Sequence, residues 1–292
     1  MNQNALKQVS IECSREVLRG FSVSGLATYL QIAELDFCFD MGECPLSAVK
    51  LNHVALTHPH GDHHRCLMRH RNLRRMTGIE KEAAYYLDAD LVESAHRYFQ
   101  EEARFEMVSP YHYSPPLLIG LEEGAEPREL LYRNDLRISA FRLAHRIPTL
   151  GFTIYDFKKK LKDQFIGLPG EVLAEMRLKQ GIEITREVLE PRITFLGDTT
   201  IAGIKKNPEI WKSRIVVLES TFIEEGEEEM AAQKGHTHLS EIASLLSEMD
   251  SDLKSEKIVL NHFSMKCNKK RIEERLDELF KGELREKVVA LV

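Results

Sequence analysis

The chain has 292 residues, of which 43% are hydrophobic and 29% are charged, and its formal net charge is −6. This balance excludes an intrinsically disordered chain, and the negative charge does not by itself indicate a nucleic-acid-binding protein. No apolar run approaches the roughly 18 residues of a transmembrane helix, so we expect no membrane association. Residues 1–7 lack the apolar stretch of a signal peptide, and the five scattered cysteines indicate reduced thiols, which together predict a cytoplasmic protein.

The predicted elements begin with strands and continue as mixed strands and helices. Apolar and β-branched runs bounded by turn residues predict strands over 21–32, 35–40 and 51–56. Long helix-forming residues with few breakers predict one helix over 79–105. Later strands are predicted over 136–143, 152–157, 192–196, 215–218 and 258–260, and later helices over 171–180, 239–249 and 269–280. This order favours one domain of two packed sheets with helices outside.

The segment 57–64 reads THPHGDHH and directly follows a predicted strand. It places His58, His60, Asp62 and His63 within six positions. Divalent metals such as zinc bind imidazole nitrogen and carboxylate oxygen together, and a catalytic site keeps one position open for water. A tight loop at a strand end can aim alternate side chains at two neighbouring points. The loop therefore predicts a two-metal hydrolase, with a histidine-rich surface loop as the alternative.

Three further residues of ligand type also follow predicted strands. His145, Asp198 and His262 come directly after the strands predicted over 136–143, 192–196 and 258–260. A single histidine or aspartate at a strand end is usually structural. Three of them in a chain that already carries the 57–64 loop predict the remaining ligands of a binuclear site, in which the Asp198 carboxylate could bridge two ions.

At these positions the chain resembles the metallo-β-lactamase superfamily and, within it, the ribonuclease Z family in its short, plant-type form. The superfamily shares the loop at 57–63. The segments that resemble the narrower family are DMGE at 40–43, HRIPTLGF at 145–152, ESTF at 219–222, GHTHLSE at 235–241 and IVLNHFS at 258–264. The resemblance implies an α/β metallo-β-lactamase αββα sandwich as a single domain over 1–292, with a short arm-like insertion at about 157–191.

The resemblance also implies the roles of the site residues. One metal ion would be held by His58, His60 and His145, the other by Asp62, His63 and His262, and Asp198 would bridge them. The ions would be zinc, with manganese or iron as alternatives, and they would activate a water for attack on phosphorus. Asp62 would orient that water or accept its proton. His236, backed by Glu219, would stabilise the transition state or protonate the leaving oxygen, and His238 is the alternative histidine.

The implied activity is that of a zinc-dependent endoribonuclease, a homodimer that cuts the 3′ trailer from precursor tRNA. Two alternatives stay open: the same site could hydrolyse a small phosphodiester, or the chain could be a metal-stabilised scaffold without turnover. Four segments depart from the family's pattern, although none contains a ligand candidate. They are HRC at 64–66, the short arm with GLPG at 167–170, MKC at 265–267 and the acidic stretch 224–229, which we interpret as an exposed loop. The basic clusters at 65–75 and 158–162 are solvated faces or phosphate contacts.

Overall fold

The computed structural model describes residues 7–109, 113–249 and 253–292, so most of the amino-terminal segment used above lies outside the described residues. The strands are β1 (Val9–Cys13), β2 (Glu16–Val23), β3 (Ala27–Ile32), β4 (Phe37–Phe39), β5 (His53–Ala55), β6 (Ala84–Asp88), β7 (Leu117–Leu121), β8 (Arg128–Leu130), β9 (Arg133–Leu143), β10 (Thr149–Leu161), β11 (Thr185–Leu196), β12 (Ile215–Glu219), β13 (Lys257–Asn261) and β14 (Val288–Ala290). The helices are α1 (Gly61–His64), α2 (Leu67–Met76), α3 (Val92–Phe105), α4 (Gly170–Leu178), α5 (Ile201–Lys205), α6 (Glu228–Lys234), α7 (Leu239–Glu248), α8 (Lys269–Leu279) and α9 (Gly282–Lys287).

Two seven-stranded sheets form the centre of the molecule. The first contains β1 to β7 in chain order, and the second runs β14-β13-β12-β11-β10-β9-β8. In the first sheet the pairs from β1 to β4 are antiparallel and those from β4 to β7 are parallel. The second sheet repeats this pattern, antiparallel from β8 to β11 and parallel from β11 to β14. The predicted fold of two packed mixed sheets is confirmed.

The core explains why these strands are apolar on both faces. In β12, Ile215 and Val217 belong to the cluster between the two sheets, whereas Val216 and Leu218 pack against the helices α7 and α8. Strand residues alternate between the two faces of a sheet, so a sheet covered on both sides needs a continuous apolar run. Phe39 of the first sheet stacks on Phe195 of the second, with ring centroids 4.7 Å apart. The layers are therefore helix, sheet, sheet and helix.

Two predicted elements are wrong in extent. The helix predicted over 79–105 contains the strand β6, and only Val92–Phe105 is α-helical at its end. All five residues of β6 are buried between its parallel neighbours β5 and β7, and this burial outweighs the local helix preference. The strand predicted over 21–32 is a hairpin of β2 and β3, which turns at Gly25 with φ of 70°. The other predicted strands and helices are present with shifted ends.

The strands β10 and β11 continue beyond the sheet as a two-stranded ribbon. Strand β9 pairs with β10 only as far as Asp156, so residues 157–161 pair with 185–189 alone, and α4 lies in the connection between the two strands. The lysine cluster lies on this ribbon and is paired with glutamates: Lys158 and Lys160 share Glu190, at 2.5 and 2.6 Å. The positive charge that the sequence places there is thus largely offset.

The acidic stretch 224–229 is exposed over most of its length, as predicted, but it is a loop only as far as residue 227. Its first member, Glu224, accepts two hydrogen bonds from Arg271, and Glu228 and Glu229 begin α6. The arginines of the basic cluster at 65–75 do not form one exposed face, because Arg74 is buried whereas Arg75 is exposed. All five cysteines are free thiols. Within the described ranges, no helix has the length and apolar character needed to cross a bilayer.

Candidate metal centre

The ends of strands from both sheets meet at one edge and carry the predicted ligands. The first sheet contributes the loop after β5, which leads through His58 and His60 into α1 with Asp62 and His63. The second sheet contributes His145 after β9, Asp198 after β11 and His262 after β13. Because β11, β12 and β13 are parallel, their carboxyl ends lie side by side. The structure brings all seven predicted ligands together, in groups whose ligand atoms lie within 4.8 Å of one another.

The first group consists of His58, His60, His145 and Asp198. His58 Nε2 lies 3.0 Å from His60 Nδ1 and 3.6 Å from Asp198 Oδ2. His145 Nδ1 donates to the carbonyl of Gly235 at 2.7 Å, which leaves Nε2 as the atom with a free lone pair. That Nε2 is buried and has no hydrogen-bond partner. A buried nitrogen without a partner is rare, and here it points into a ring of ligand-type atoms.

The second group consists of Asp62, His63 and His262. His63 Nε2 lies 3.3 Å from His262 Nε2 and 3.7 Å from Asp62 Oδ2. Asp198 stands between the groups: its Oδ2 faces His58, whereas its Oδ1 lies 3.6 Å from His63 Nε2. The carboxylate of Asp198 therefore has one oxygen for each group, as a bridging ligand needs.

These contacts fit metal ligation better than hydrogen bonding. Two nitrogen ligands of one tetrahedral zinc ion lie about 3.3 Å apart, which is close to the separations within the His58–His60 and His63–His262 pairs. Burial, and next the charge of His63, lower the pKa of His58, and burial also lowers the pKa of His60 and His145. These three imidazoles are therefore neutral, the form in which histidine binds a metal.

Asp40 supports two of these imidazoles from outside the ligand set. Its Oδ2 accepts the Nδ1 proton of His63 at 2.8 Å. The Thr57 hydroxyl donates to Asp40 at 3.0 Å and accepts from His58 Nδ1, also at 3.0 Å. Asp40 has a left-handed backbone, with φ of 56°. Two residues later, packing requires a glycine at position 42, because a Cβ on Gly42 would lie 1.8 Å from the carbonyl oxygen of Asp62.

Glu219 repeats this arrangement on the second sheet. Its Oε1 accepts the Nδ1 proton of His236 at 2.9 Å. The Thr221 hydroxyl donates to Glu219 Oε2 at 2.6 Å and accepts from His262 Nδ1 at 3.0 Å. Each carboxylate thus orients one imidazole directly and a second one through a threonine, which fixes the tautomer that leaves Nε2 free. The roles of Asp40, Thr57 and Thr221 were not predicted.

His236 and His238 occupy different environments. His236 lies at the centre, with Nδ1 3.9 Å from Asp198 Oδ2. His238 is fully buried, contacts the carbonyl oxygen of Glu224 through Nε2 at 2.8 Å, and caps the amino terminus of α7. The geometry therefore supports His236 as the acting histidine and gives His238 a structural role.

The electrostatics of the centre come from carboxylates among imidazoles. Burial would raise the pKa of Asp198, but His262, His63 and His58 together hold it below its ordinary value. For His63 the balance is reversed: burial would lower its pKa, and the charges of Asp198 and Asp40 raise it to about 9. Carboxylates that make an imidazole more basic also make it a stronger metal ligand.

The segment 64–66, which follows the metal loop directly, makes its own contacts with the surrounding structure. His64 Nδ1 donates to the carbonyl of His60 at 2.9 Å, and its ring meets Tyr98 edge-on, with centroids 5.2 Å apart. Arg65 Nε donates to the carbonyl of Gly42 at 2.8 Å. These contacts displace none of the predicted ligands.

Comparison with known proteins places the chain among tRNase Z proteins. No family model matches it. It is 29% identical over 276 residues to tRNase Z TRZ1 of Arabidopsis thaliana, with 94% of both chains covered. It is 30% identical over 284 residues to tRNase Z TRZ2, chloroplastic, of the same plant, which covers 94% of this chain and 75% of that relative.

Solved structures share the fold. The metallo-β-lactamase fold protein YhfI from Bacillus subtilis superposes with a TM-score of 0.55 at 14% identity, covering 96% of this chain and 90% of that one. The short form of human tRNase Z superposes with a TM-score of 0.52 at 17% identity, covering 89% and 86%. At these identities the likeness to the solved structures concerns the fold alone.

Proposed function

Because this chain belongs to the tRNase Z (ribonuclease Z) family of metal-dependent hydrolases, we propose that it is the endoribonuclease that cuts the 3′ trailer from precursor tRNA. The observation that carries the proposal is the convergence of seven ligand-type side chains beside the Glu219–His236 pair, in a chain similar to tRNase Z proteins over nearly its whole length. The products would be a tRNA with a 3′-hydroxyl and a trailer with a 5′-phosphate.

We propose that the site holds two divalent ions, most favourably zinc, with manganese or iron as alternatives for the same imidazole and carboxylate ligands. His58, His60 and His145 would bind one, Asp62, His63 and His262 the other, and Asp198 both. Two such ions would lower the pKa of a bound water toward neutrality. They would also place positive charge beside the oxygens of the phosphate. Phosphoryl transfer depends mainly on positioned charge, which suits this site.

The remaining steps belong to the side chains. Asp62 is fixed by the backbone N–H of Gly25, which donates to its Oδ2 at 2.8 Å. Burial opposes its ionisation, but His262 and His63 hold the pKa of Asp62 well below its ordinary value. Asp62 is therefore ionised and can orient the attacking water through a hydrogen bond, a role that the low pKa favours over accepting the water's proton. Burial would lower the pKa of His236, and Glu219 outweighs this effect and raises it. His236 can therefore donate a proton to the 3′-oxygen as its bond to phosphorus breaks.

The test is a single-turnover cleavage assay on a precursor tRNA with a 3′ trailer, in the presence of zinc or manganese. We expect one cut at the end of the acceptor stem. If the precursor stays intact while bis(p-nitrophenyl) phosphate is hydrolysed, the alternative of a small phosphodiester substrate replaces the tRNA assignment. Bound metal without turnover of either substrate would favour the scaffold.

A ligand variant tests the role of the metal site in the same assay. His63→Ala removes a ligand of the second group, and turnover should fall by at least about a hundredfold. The chain should still fold, because Asp40 keeps its hydrogen bonds from the backbone N–H and hydroxyl of Thr57. His96→Ala, on α3 and outside the centre, is the control. Turnover near wild type in metal-loaded His63→Ala protein would refute the two-metal assignment.

We further propose that the protein is a homodimer, which rests on family membership. Light scattering after size-exclusion chromatography should then give twice the chain mass of 33.6 kDa. A cytoplasmic location stays a prediction from cysteine usage, and imaging of a tagged protein would test it.

A further inference from the structure

A cavity of about 300 Å³ lies at the far end of α2 from the metal loop. Helix α2 has ten residues and so carries the chain about 15 Å away from α1. The cavity is lined by the carboxyl-terminal half of this helix, by the segment leading into β6 and by Ser114 ahead of β7. It lies at the amino ends of β6 and β7 and is therefore separate from the metal centre, which lies beyond the carboxyl end of their parallel neighbour β5.

Four cationic side chains line the cavity, and Arg74 is the most deeply placed of them. The described structure leaves it only 3% exposed. Its Nη1 donates to the carbonyls of Val49 and Leu51, at 2.9 and 2.7 Å. Its Nη2 donates to Asn52 Oδ1 at 2.7 Å and to the carbonyl of Lys81 at 2.6 Å. All four acceptors are neutral, so they fix the guanidinium and satisfy four of its five N–H protons without cancelling its charge.

The other three cations add to this positive charge. Arg71 and Arg75 are one helical turn apart on the same face, where like charges repel. Burial, and next the charge of Arg75, lower the pKa of Arg71, whose guanidinium also donates to the carbonyl of Ser114. The Lys81 ammonium lies 4.0 Å from the centre of the Tyr132 ring.

Carboxylates balance these charges less than they do elsewhere in the molecule, although Glu82 acts on Arg71 and Asp36 acts on Arg74. In the described part of the chain, none of Arg71, Arg74, Arg75 and Lys81 forms an ion pair with a carboxylate. On the ribbon, by contrast, Lys158 and Lys160 share one glutamate. Two exposed glutamates, Glu80 and Glu82, also line the cavity but are outnumbered by the four cations. The cavity thus presents a net positive charge around a partly enclosed space.

We propose that this cavity binds a phosphate group, supplied either by a small phosphorylated molecule such as a mononucleotide or by the backbone of an RNA. Guanidinium groups present paired N–H donors that match phosphate oxygens. The volume lies at the lower limit of ligand pockets, about 300 to 1,000 Å³, which suits one phosphate with a small attached group. Binding of a small phosphorylated molecule does not depend on the proposed tRNA cleavage, whereas binding of an RNA backbone rests on that proposed function.

Calorimetric titration of the metal-loaded protein with adenosine 5′-monophosphate tests the proposal. A phosphate can also bind at the metal centre, so the number of sites is the decisive quantity. We expect Arg71→Gln/Arg75→Gln to lose one site, or to weaken it at least about tenfold, since hydrogen bonds to charged groups contribute about 1.5 kcal/mol or more. The matched control is Arg97→Gln/Arg104→Gln, which removes the same charge from exposed positions of α3 and should keep wild-type binding.

Binding of a labelled precursor tRNA at several salt concentrations distinguishes the two sources. If RNA occupies the cavity, the double variant binds the precursor more weakly, the salt dependence becomes shallower, and adenosine 5′-monophosphate competes. If a small molecule occupies it, the variant loses the nucleotide site and binds the precursor as wild type does. Nucleotide stoichiometry and affinity equal to wild type in the folded variant would overturn the proposal. Should the double variant fail to fold, the same titrations are made with Lys81→Gln, which changes an exposed position. A weaker nucleotide site in that variant supports the proposal, and wild-type binding overturns it.

Discussion

At the scale of single residues, the metal centre depends on two buried carboxylates outside the predicted ligand set. Asp40 and Glu219 each accept one imidazole proton directly, at 2.8 and 2.9 Å. Each also accepts a threonine hydroxyl that in turn accepts from a second imidazole, through Thr57 for His58 and through Thr221 for His262. The orientation of four imidazoles therefore rests on two carboxylates, and for two of the four it also depends on a threonine hydroxyl.

Replacing these hydroxyls should weaken metal binding. Thr57→Val and Thr221→Val keep the side-chain volume but leave His58 Nδ1 or His262 Nδ1 without an acceptor. Loss of such an outer partner lowers metal affinity by about 10- to 100-fold. Competition with a chromogenic chelator measures this directly and does not depend on turnover. Serine at the same positions restores the hydroxyl and should restore affinity; valine variants that retain the metal as wild type does would show that the threonines do not orient the ligands.

The sequence was informative at this scale where the residue type is itself unusual. The cluster His58, His60, Asp62 and His63 is improbable by chance, and His145, Asp198 and His262 stand out because each follows an apolar strand. Threonine carries no such signal, since it is common in strands and turns for many reasons. The supporting roles of Thr57 and Thr221 become visible only when the fold brings them beside a buried carboxylate.

At the scale of elements, α2 is anchored by two buried polar side chains in addition to the apolar Leu67 and Met68. His70 is fully buried, with Nδ1 2.9 Å from the Tyr85 hydroxyl and Nε2 3.2 Å from the carbonyl of Ala48. One turn later, Arg74 donates four hydrogen bonds to the segment before β5 and to Lys81. The helix that follows the metal loop is thus held to the sheet by hydrogen bonds of fixed direction.

This anchoring predicts a loss of stability in acid. Burial, and next the charge of Arg74, lower the pKa of His70 from 6.5 to about 4. Between these values the unfolded chain binds the additional proton, so the free energy of unfolding falls as the pH decreases from about 6.5 to about 4, by about 3 kcal/mol in total. Urea unfolding of wild type and His70→Gln at several pH values isolates this contribution. The stability difference should shrink on acidification; a constant difference would mean that His70 does not titrate in this range.

The ribbon formed by β10 and β11 offers a second test at the scale of elements. The connection between its two strands exposes the apolar side chains Ile166 and Leu178, at 67% and 81%. Beyond Asp156 the ribbon pairs with no other strand in the described structure. Because Asp156 lies opposite Glu190, residues 157–189 can be replaced by an Asn-Gly turn. We propose that this arm-like ribbon contributes to binding of the precursor tRNA but not to the chemistry. Its deletion should therefore leave hydrolysis of bis(p-nitrophenyl) phosphate intact and lower precursor cleavage at subsaturating enzyme at least about tenfold, the effect of losing about 1.4 kcal/mol of binding. Equal loss of both activities would instead indicate that the deletion damages the centre.

Most elements could be predicted from local pattern, and the exceptions have physical causes. Strands buried on both faces, such as β12 and β13, appear as short apolar runs and were found. Strand β6 was missed because its residues follow a charged segment and precede a long helix, so the local pattern favours one continuous helix. Only its pairing with β5 and β7 makes it a strand, and pairing between distant segments is absent from a local pattern.

At the scale of the whole molecule, the centre joins two similar halves. The first half contributes His58, His60, Asp62 and His63, and the second contributes His145, Asp198 and His262. Each half is a sheet that begins antiparallel and ends parallel, and the two sheets pack through one apolar cluster. A ligand that binds residues of both halves stabilises their packing as well as the local loop.

Removal of the metal should therefore lower the stability of the entire fold. A ligand bound only by the folded state, present at a thousand times its dissociation constant, stabilises by about 4 kcal/mol per site, and for a domain of this size that raises Tm on the order of 10 °C. Dialysis against a chelator should lower Tm by this amount, and zinc should restore it. In His63→Ala protein, where the second group has lost an imidazole, chelation should have a smaller effect. Chelation that removes measured metal yet leaves Tm unchanged would show that the two sheets hold together through the apolar cluster alone, with the ligands arranged independently of the ions.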